Sequence, residues 1–123
     1  MRDTQEGCPF GCTVEIAMDV IGGRWKGAIL FHLADEGILR FGELRKRIPG
    51  INQRMLTNQL RKLEECGIIK RTVFPVVPPR VDYELTEFGD TLKPILFQLK
   101  KWGHEYIDYQ TAKSDQRLSN SSK

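Results

Sequence analysis

Apolar residues recur at helical spacing along most of the chain and switch to strict alternation only once. Val14, Ile16, Ala17, Val20 and Ile21 form the first helical set, with Thr13 as its N-cap and Gly22-Gly23 as its stop. Trp25, Ile29, Leu30 and Leu33 give a second helix over 24–34, ended by Gly37, and Phe41, Leu44 and Ile48 a shorter third before Pro49-Gly50. Asn52 caps a fourth, of about four turns, in which Leu56, Leu60 and Leu63 recur at i, i+4 and i+7 until Gly67 supplies a left-handed stop. Residues 68–76 are then rich in β-branched and aromatic side chains, and Val81, Tyr83 and Leu85 alternate with Asp82 and Glu84, which predicts two strands. Pro75 confines the first strand to a sheet edge, and Val77-Pro78-Pro79-Arg80 makes the connection a stiff, projecting loop. Thr86 is the expected N-cap of a last helix running to about residue 108 and kinked at Pro94.

Short helix, Pro-Gly turn, longer helix, two-stranded hairpin: this order predicts a mainly α fold with a small β-hairpin wing, a winged helix-turn-helix whose fourth helix enters the DNA major groove. At 123 residues the chain has room for one such domain. The expected division is a flexible segment over 1–12 holding Cys8 and Cys12, a winged domain with its terminal helix over 13–109, and a polar, Ser-rich disordered tail over 110–123. No apolar run approaches the roughly 20 residues of a membrane span and the N-terminus lacks a signal-peptide stretch, so a cytoplasmic location is expected. With no space for a ligand domain, any signal must be read by the termini, a subunit interface or the cysteines.

Charge sharpens the picture once it is divided by element. The formal total is only +3. Residues 40–80, however, hold ten basic side chains against Glu43, Glu64 and Glu65, a net +7, which leaves −4 for the remainder. Positive charge gathered on the helix-turn-helix and wing suits a polyphosphate, because each neutralised phosphate releases condensed counterions. The fourth helix also carries charge against its own dipole, with Arg54 in its first turn and Glu64 and Glu65 in its last, each placement costing about 0.3–1 kcal/mol at exposed positions. Its polar face offers Gln53, Arg54, Thr57, Asn58 and Arg61, which include side chains that pair with adenine and guanine edges. A merely solvated face is the alternative reading.

At this point the sequence resembles the HxlR-type winged-helix transcription regulators, relatives of the MarR group. The resemblance spans about residues 8–107. It rests on Cys8-Pro9, on Ile21-Gly22-Gly23-Arg24-Trp25, on Arg40-Phe41-Gly42-Glu43-Leu44, on Met55-Leu56-Thr57-Asn58-Gln59-Leu60-Arg61-Lys62-Leu63-Glu64, and on Val77-Pro78-Pro79-Arg80-Val81-Asp82-Tyr83-Glu84-Leu85-Thr86. It implies a homodimeric DNA-binding regulator without enzymatic activity or cofactor. Carried over, it implies DNA contacts from Gln53, Arg54, Thr57, Asn58 and Arg61, with Arg80 at the wing tip reaching the minor groove or its phosphates and Arg45 and Lys46 acting as phosphate clamps.

The last helix is apolar over too many positions for one stripe: Ile95, Leu96 and Phe97 are consecutive, followed by Leu99, Trp102, Tyr106 and Ile107. One face can pack on the winged core while the other, represented by Leu96, Leu99, Trp102 and Tyr106, needs a second copy; burial within a single domain is the alternative. The first helix, through Val14, Met18 and Ile21, would complete that interface. Such a dimer predicts a palindromic operator with half-sites roughly 34 Å apart.

Three cysteines, Cys8, Cys12 and Cys66, form an odd set unlike a disulfide framework. The resemblance places a redox- or electrophile-sensing thiol at Cys8, with Cys12 as a resolving partner or the partner subunit as the site of a bridge, and an oxidant or small molecule as inducer. Cys66 reads as a packed small hydrophobe. Cys8 and Cys12 with His32 or His104 do not match zinc spacing, so no metal site is expected, and no phosphate loop, nucleophile elbow or carboxylate cluster supports an enzyme. A protein-docking winged module and a thiol-redox enzyme remain as other readings.

Overall fold

The computed structural model describes residues 12–121, with side-chain surroundings through residue 117. Cys8 lies outside the described residues. Five α-helices and three short strands follow in the order α1 (Thr13–Ile21), α2 (Lys26–Glu36), β1 (Leu39–Arg40), α3 (Phe41–Arg47), α4 (Gln53–Glu65), β2 (Ile69–Phe74), β3 (Arg80–Leu85) and α5 (Lys93–Ser121). The fold is a winged helix-turn-helix, mostly helical with a three-stranded antiparallel wing sheet.

Local chemistry accounts for the helix ends. The Asn52 side chain accepts a 2.8 Å hydrogen bond from the Met55 backbone N–H and so satisfies one orphan donor of α4. At the other end Gly67 takes φ +78°, a left-handed stop that side chains with a Cβ rarely adopt. The α1 cap is Cys12 rather than Thr13: the Cys12 carbonyl accepts from Glu15 and Ile16, and its own side chain makes no capping bond. Helix α2 begins at Lys26, two residues later than its apolar pattern implies, because Arg24 and Trp25 are taken up in the turn after Gly22-Gly23, with the Arg24 guanidinium 4.6 Å from the Trp25 ring centre.

Ile29, Leu30 and Leu33 of α2 meet Leu44 of α3, Leu56, Leu60 and Leu63 of α4, and Ile69, Tyr83 and Leu85 of the sheet in one continuous core. Strand order is β1-β3-β2, so β2, which Pro75 terminates, does lie at an edge. The central strand β3 pairs Tyr83 and Asp82 with Leu39 and Arg40 on one side and with Arg71 and Thr72 on the other.

Two expectations change at the C-terminus. Thr86 does not open a single kinked helix: its hydroxyl donates to the Gly67 carbonyl at 2.7 Å and accepts from Gly89 N–H at 2.9 Å, and a separate 3-10 turn over Gly89–Leu92, with Phe88 at its N-cap, follows. Helix α5 then starts at Lys93, so Pro94 sits in its first turn, where a missing N–H leaves no bond unmade. The segment expected to be a disordered tail over 110–123 is helical through Ser121. Its polarity removes packing, but no Gly or Pro follows Gly103 to end the helix, and Ala112, Lys113, Gln116 and Arg117 are good helix formers. Among the described residues no helix is long and apolar enough to cross a membrane.

Candidate nucleic-acid interface

With its three leucines turned inward, α4 presents Gln53, Arg54, Asn58 and Arg61 to solvent and Thr57 half-buried among them. These five side chains, all expected at the interface, line one shallow concavity of about 480 Å³. A second groove of similar size runs between α4 and the sheet, with Arg61 and Arg71 on its walls and Phe41, Leu60 and Tyr83 in its lining. Arg71 was not singled out by sequence, although the Lys70-Arg71 pair adds to the basic count; its place on β2 opposite Tyr83 brings it to the side of the recognition helix. Arg45 and Lys46 are exposed on the last turn of α3, where they also complement that helix's dipole.

Not every arginine is equally free. Arg47 donates to Glu36 at 2.6 Å and to the Glu43 carbonyl at 2.8 Å, fastening α3 to the end of α2. The hydrogen bond from Arg47 holds the Glu36 carboxyl below the usual range, against a smaller opposing effect of desolvation. Arg80 is the first residue of β3 rather than the loop apex. Its Nε and Nη2 donate to the two Asp82 carboxylate oxygens at 3.1 and 3.0 Å, and its guanidinium lies 4.8 Å from the Phe74 ring centre. Asp82, 5% exposed, is the buried charged side chain of the described core. The hydrogen bonds from Arg80 lower its pKa although burial acts the other way, and the same pair raises that of Arg80.

Along α5 and α1 the apolar residues divide between core and surface. Leu96, expected at a subunit interface, is 4% exposed and spent on the domain's own core, because its turn of α5 lies against α2. Leu99, Trp102 and Tyr106 remain exposed, as do Ile95 and Tyr109, with Trp102 and Tyr106 stacked at 5.4 Å. Val14 and Met18 of α1 are exposed too, while Ile21 is buried.

Cys12 is exposed at the start of α1. Cys66 is also exposed, not packed: it is the C-cap of α4 and falls off the leucine stripe. His32 sits 3.6 Å from Glu36 on the flank of α2. Among the described residues no three His, Cys, Asp or Glu side chains gather closely enough to hold a metal ion.

The model of the HxlR-like helix-turn-helix family matches residues 20–111, which takes in every element from the end of α1 through most of α5. The chain belongs to the HxlR-like family. Its relatives include the HTH-type transcriptional regulator YdeP of Bacillus subtilis, 55% identical over 106 residues that make up 86% of this chain and 79% of that protein. Among solved structures, the redox regulator HypR in its reduced form matches with a TM-score of 0.76 at 52% identity, over 81% of this chain and 98% of that one. Diamide-treated YodB from B. subtilis matches with a TM-score of 0.63 at 36% identity, over 80% and 93%. As an HxlR-like regulator the chain is a DNA-binding transcription factor and not an enzyme.

Proposed function

We propose that this HxlR-like protein is a sequence-specific repressor that binds a palindromic operator as a homodimer and loses or gains DNA affinity when the Cys8 thiol is oxidised or alkylated. The observation that carries the DNA part is the segregation on α4: Leu56, Leu60 and Leu63 all face the core, and the outward face is left to side chains that hydrogen-bond base edges and phosphates. Gln53, Arg54, Thr57, Asn58 and Arg61 read the major groove, Arg45 and Lys46 hold phosphates, and Arg80 meets the backbone beside the minor groove. Leu99, Trp102 and Tyr106 cover one another across a two-fold axis, with α1 completing the interface.

The thiol part is supported by kinship with HypR, a redox regulator, and with YodB, solved after diamide treatment. Two thiols would give two electrons and two protons to the oxidant and form one disulfide, from Cys8 either to the exposed Cys12 or to the partner subunit.

Equilibrium binding to the DNA upstream of its own gene, compared with a random duplex and repeated after diamide, tests both parts. Binding no tighter than to random duplex would remove the operator claim. A diamide response that survives Cys8→Ser would remove Cys8 as the sensor, and non-reducing electrophoresis of the oxidised protein separates an intrachain bridge, which runs as a monomer, from an intersubunit one. DNA binding must weaken steeply with salt, whereas a module that docks on protein would depend chiefly on its apolar residues.

A further inference from the structure

The wing tip is chemically unlike the rest of the DNA-facing surface. Residues 72–79 carry no charge, although Lys70 and Arg71 precede them and Arg80 follows. Val77 at the loop apex is 99% exposed, and its neighbour Val76 is half exposed. A valine so placed adds nothing to the packing of its own domain and keeps its whole apolar area free for a partner. Three of the chain's six prolines, at positions 75, 78 and 79, restrict this loop, so its shape is set before any partner arrives. Arg80 is drawn back by Asp82 and Phe74, which makes Val77, and not a guanidinium, the leading side chain of the wing.

We propose that Val77 is an apolar probe that enters the minor groove of bound duplex, with Arg40 and Arg80 gripping the sugar–phosphate strand beside it. This rests on the DNA-binding reading and adds to it a contact of different chemistry. The minor groove presents sugar C–H surface and few donors, and apolar side chains are the ones that wedge there. A groove of about 500 Å³ behind the tip, between the loop and the start of α3, has Arg40 and Arg80 in its lining and Phe41 and Gly42 along its base. A strand of alternating phosphate charge and apolar sugar matches that lining better than the surface of a second protein does. An uncharged tip releases no counterions, so its contribution has a salt signature distinct from that of every arginine nearby.

Fluorescence anisotropy of the full chain on its own upstream duplex and on a random A/T-rich duplex of equal length tests this. Val77→Ser is expected to weaken binding about tenfold with the slope of log K against log salt unchanged. Arg40→Ala, which leaves the Arg80–Asp82 pair intact, is expected to weaken binding with a slope smaller by about one. Netropsin, which fills A/T-rich minor grooves, should erase the difference between wild type and Val77→Ser. Because Val77 touches nothing in the domain, equal melting temperatures certify the variant, and Val77→Ala should fall between the two. Binding by Val77→Ser within twofold of wild type on both duplexes would overturn the proposal, as would a loss of self-association with DNA affinity intact. A wild type that treats the two duplexes alike would overturn the operator reading instead and leave the Val77 comparison to be decided on either.

Discussion

Helices α4 and α5 both carry leucines at helical spacing, yet they leave opposite things unsatisfied. In α4 every leucine of the stripe is buried, and what remains outside is polar and basic apart from Met55, with Arg54, Glu64 and Glu65 set against the helix dipole. Among the large apolar side chains described in α5, Leu96 is buried, and Ile95, Leu99, Trp102, Tyr106 and Tyr109 stay in water. An element that has satisfied its apolar face but carries misplaced charge points to a charged partner. One whose apolar area is left uncovered points to another apolar surface. On the proposed reading, this contrast would let one small domain take two partners, duplex DNA through α4 and a second copy through α5.

Placing charge in the α5 seam should have the largest effect. Leu99→Asp is expected to give monomers in sedimentation while the domain still melts cooperatively, and to cost roughly 100-fold in operator affinity through loss of the second half-site. Leu60→Ala, in the stripe of α4, should destabilise by roughly 2–5 kcal/mol in urea melts at every protein concentration, whereas Leu99→Ala should lower stability in a concentration-dependent way. If both leucines behaved alike, the division between the two helices would be lost. Arg61→Ala, on the exposed face of α4, should leave melting unchanged, weaken DNA binding by about 1–3 kcal/mol and reduce the salt slope by about one.

The smallest effect is expected on acidification. Glu36 and Asp82 are held below their ordinary range by hydrogen bonds from Arg47 and Arg80, so each binds protons more readily in the unfolded chain. Their contribution is in full force above about pH 5 to 6, clear of the unfolded-state values, and fades as pH falls through the lowered ones. Melting temperature followed from pH 6 to 2 should decline at the acid end, and less so in Glu36→Gln.

How much of this was legible in the sequence depended on whether the signal was local. The cap at Asn52, the stop at Gly67 and the stripe between them need only neighbours along the chain, and α4 forms where they place it. Strand β1 has two residues and exists only because Leu39 and Arg40 meet Tyr83 and Asp82 some 40 positions later. Leu96 and Leu99 are equivalent in sequence; the position of α2 decides which is covered. The guanidinium of Arg80 turns to Asp82 because residues two apart on a strand share a face, a clue present in the sequence but outweighed by the neighbouring prolines. Cys66 carried a clue of the same kind, since the leucine stripe of α4 next falls at position 67. The tail is helical despite its polarity because polarity signals poor packing, whereas Gly or Pro is what reliably ends a helix.

The central claim is that two copies present two α4 helices to one DNA site, and a hydroxyl-radical footprint of the full chain on the DNA upstream of its gene tests it most directly. The account predicts two protected half-sites related by two-fold symmetry, their centres roughly 34 Å apart along the duplex. A single protected stretch without symmetry, or protection no stronger than on random DNA, would contradict it.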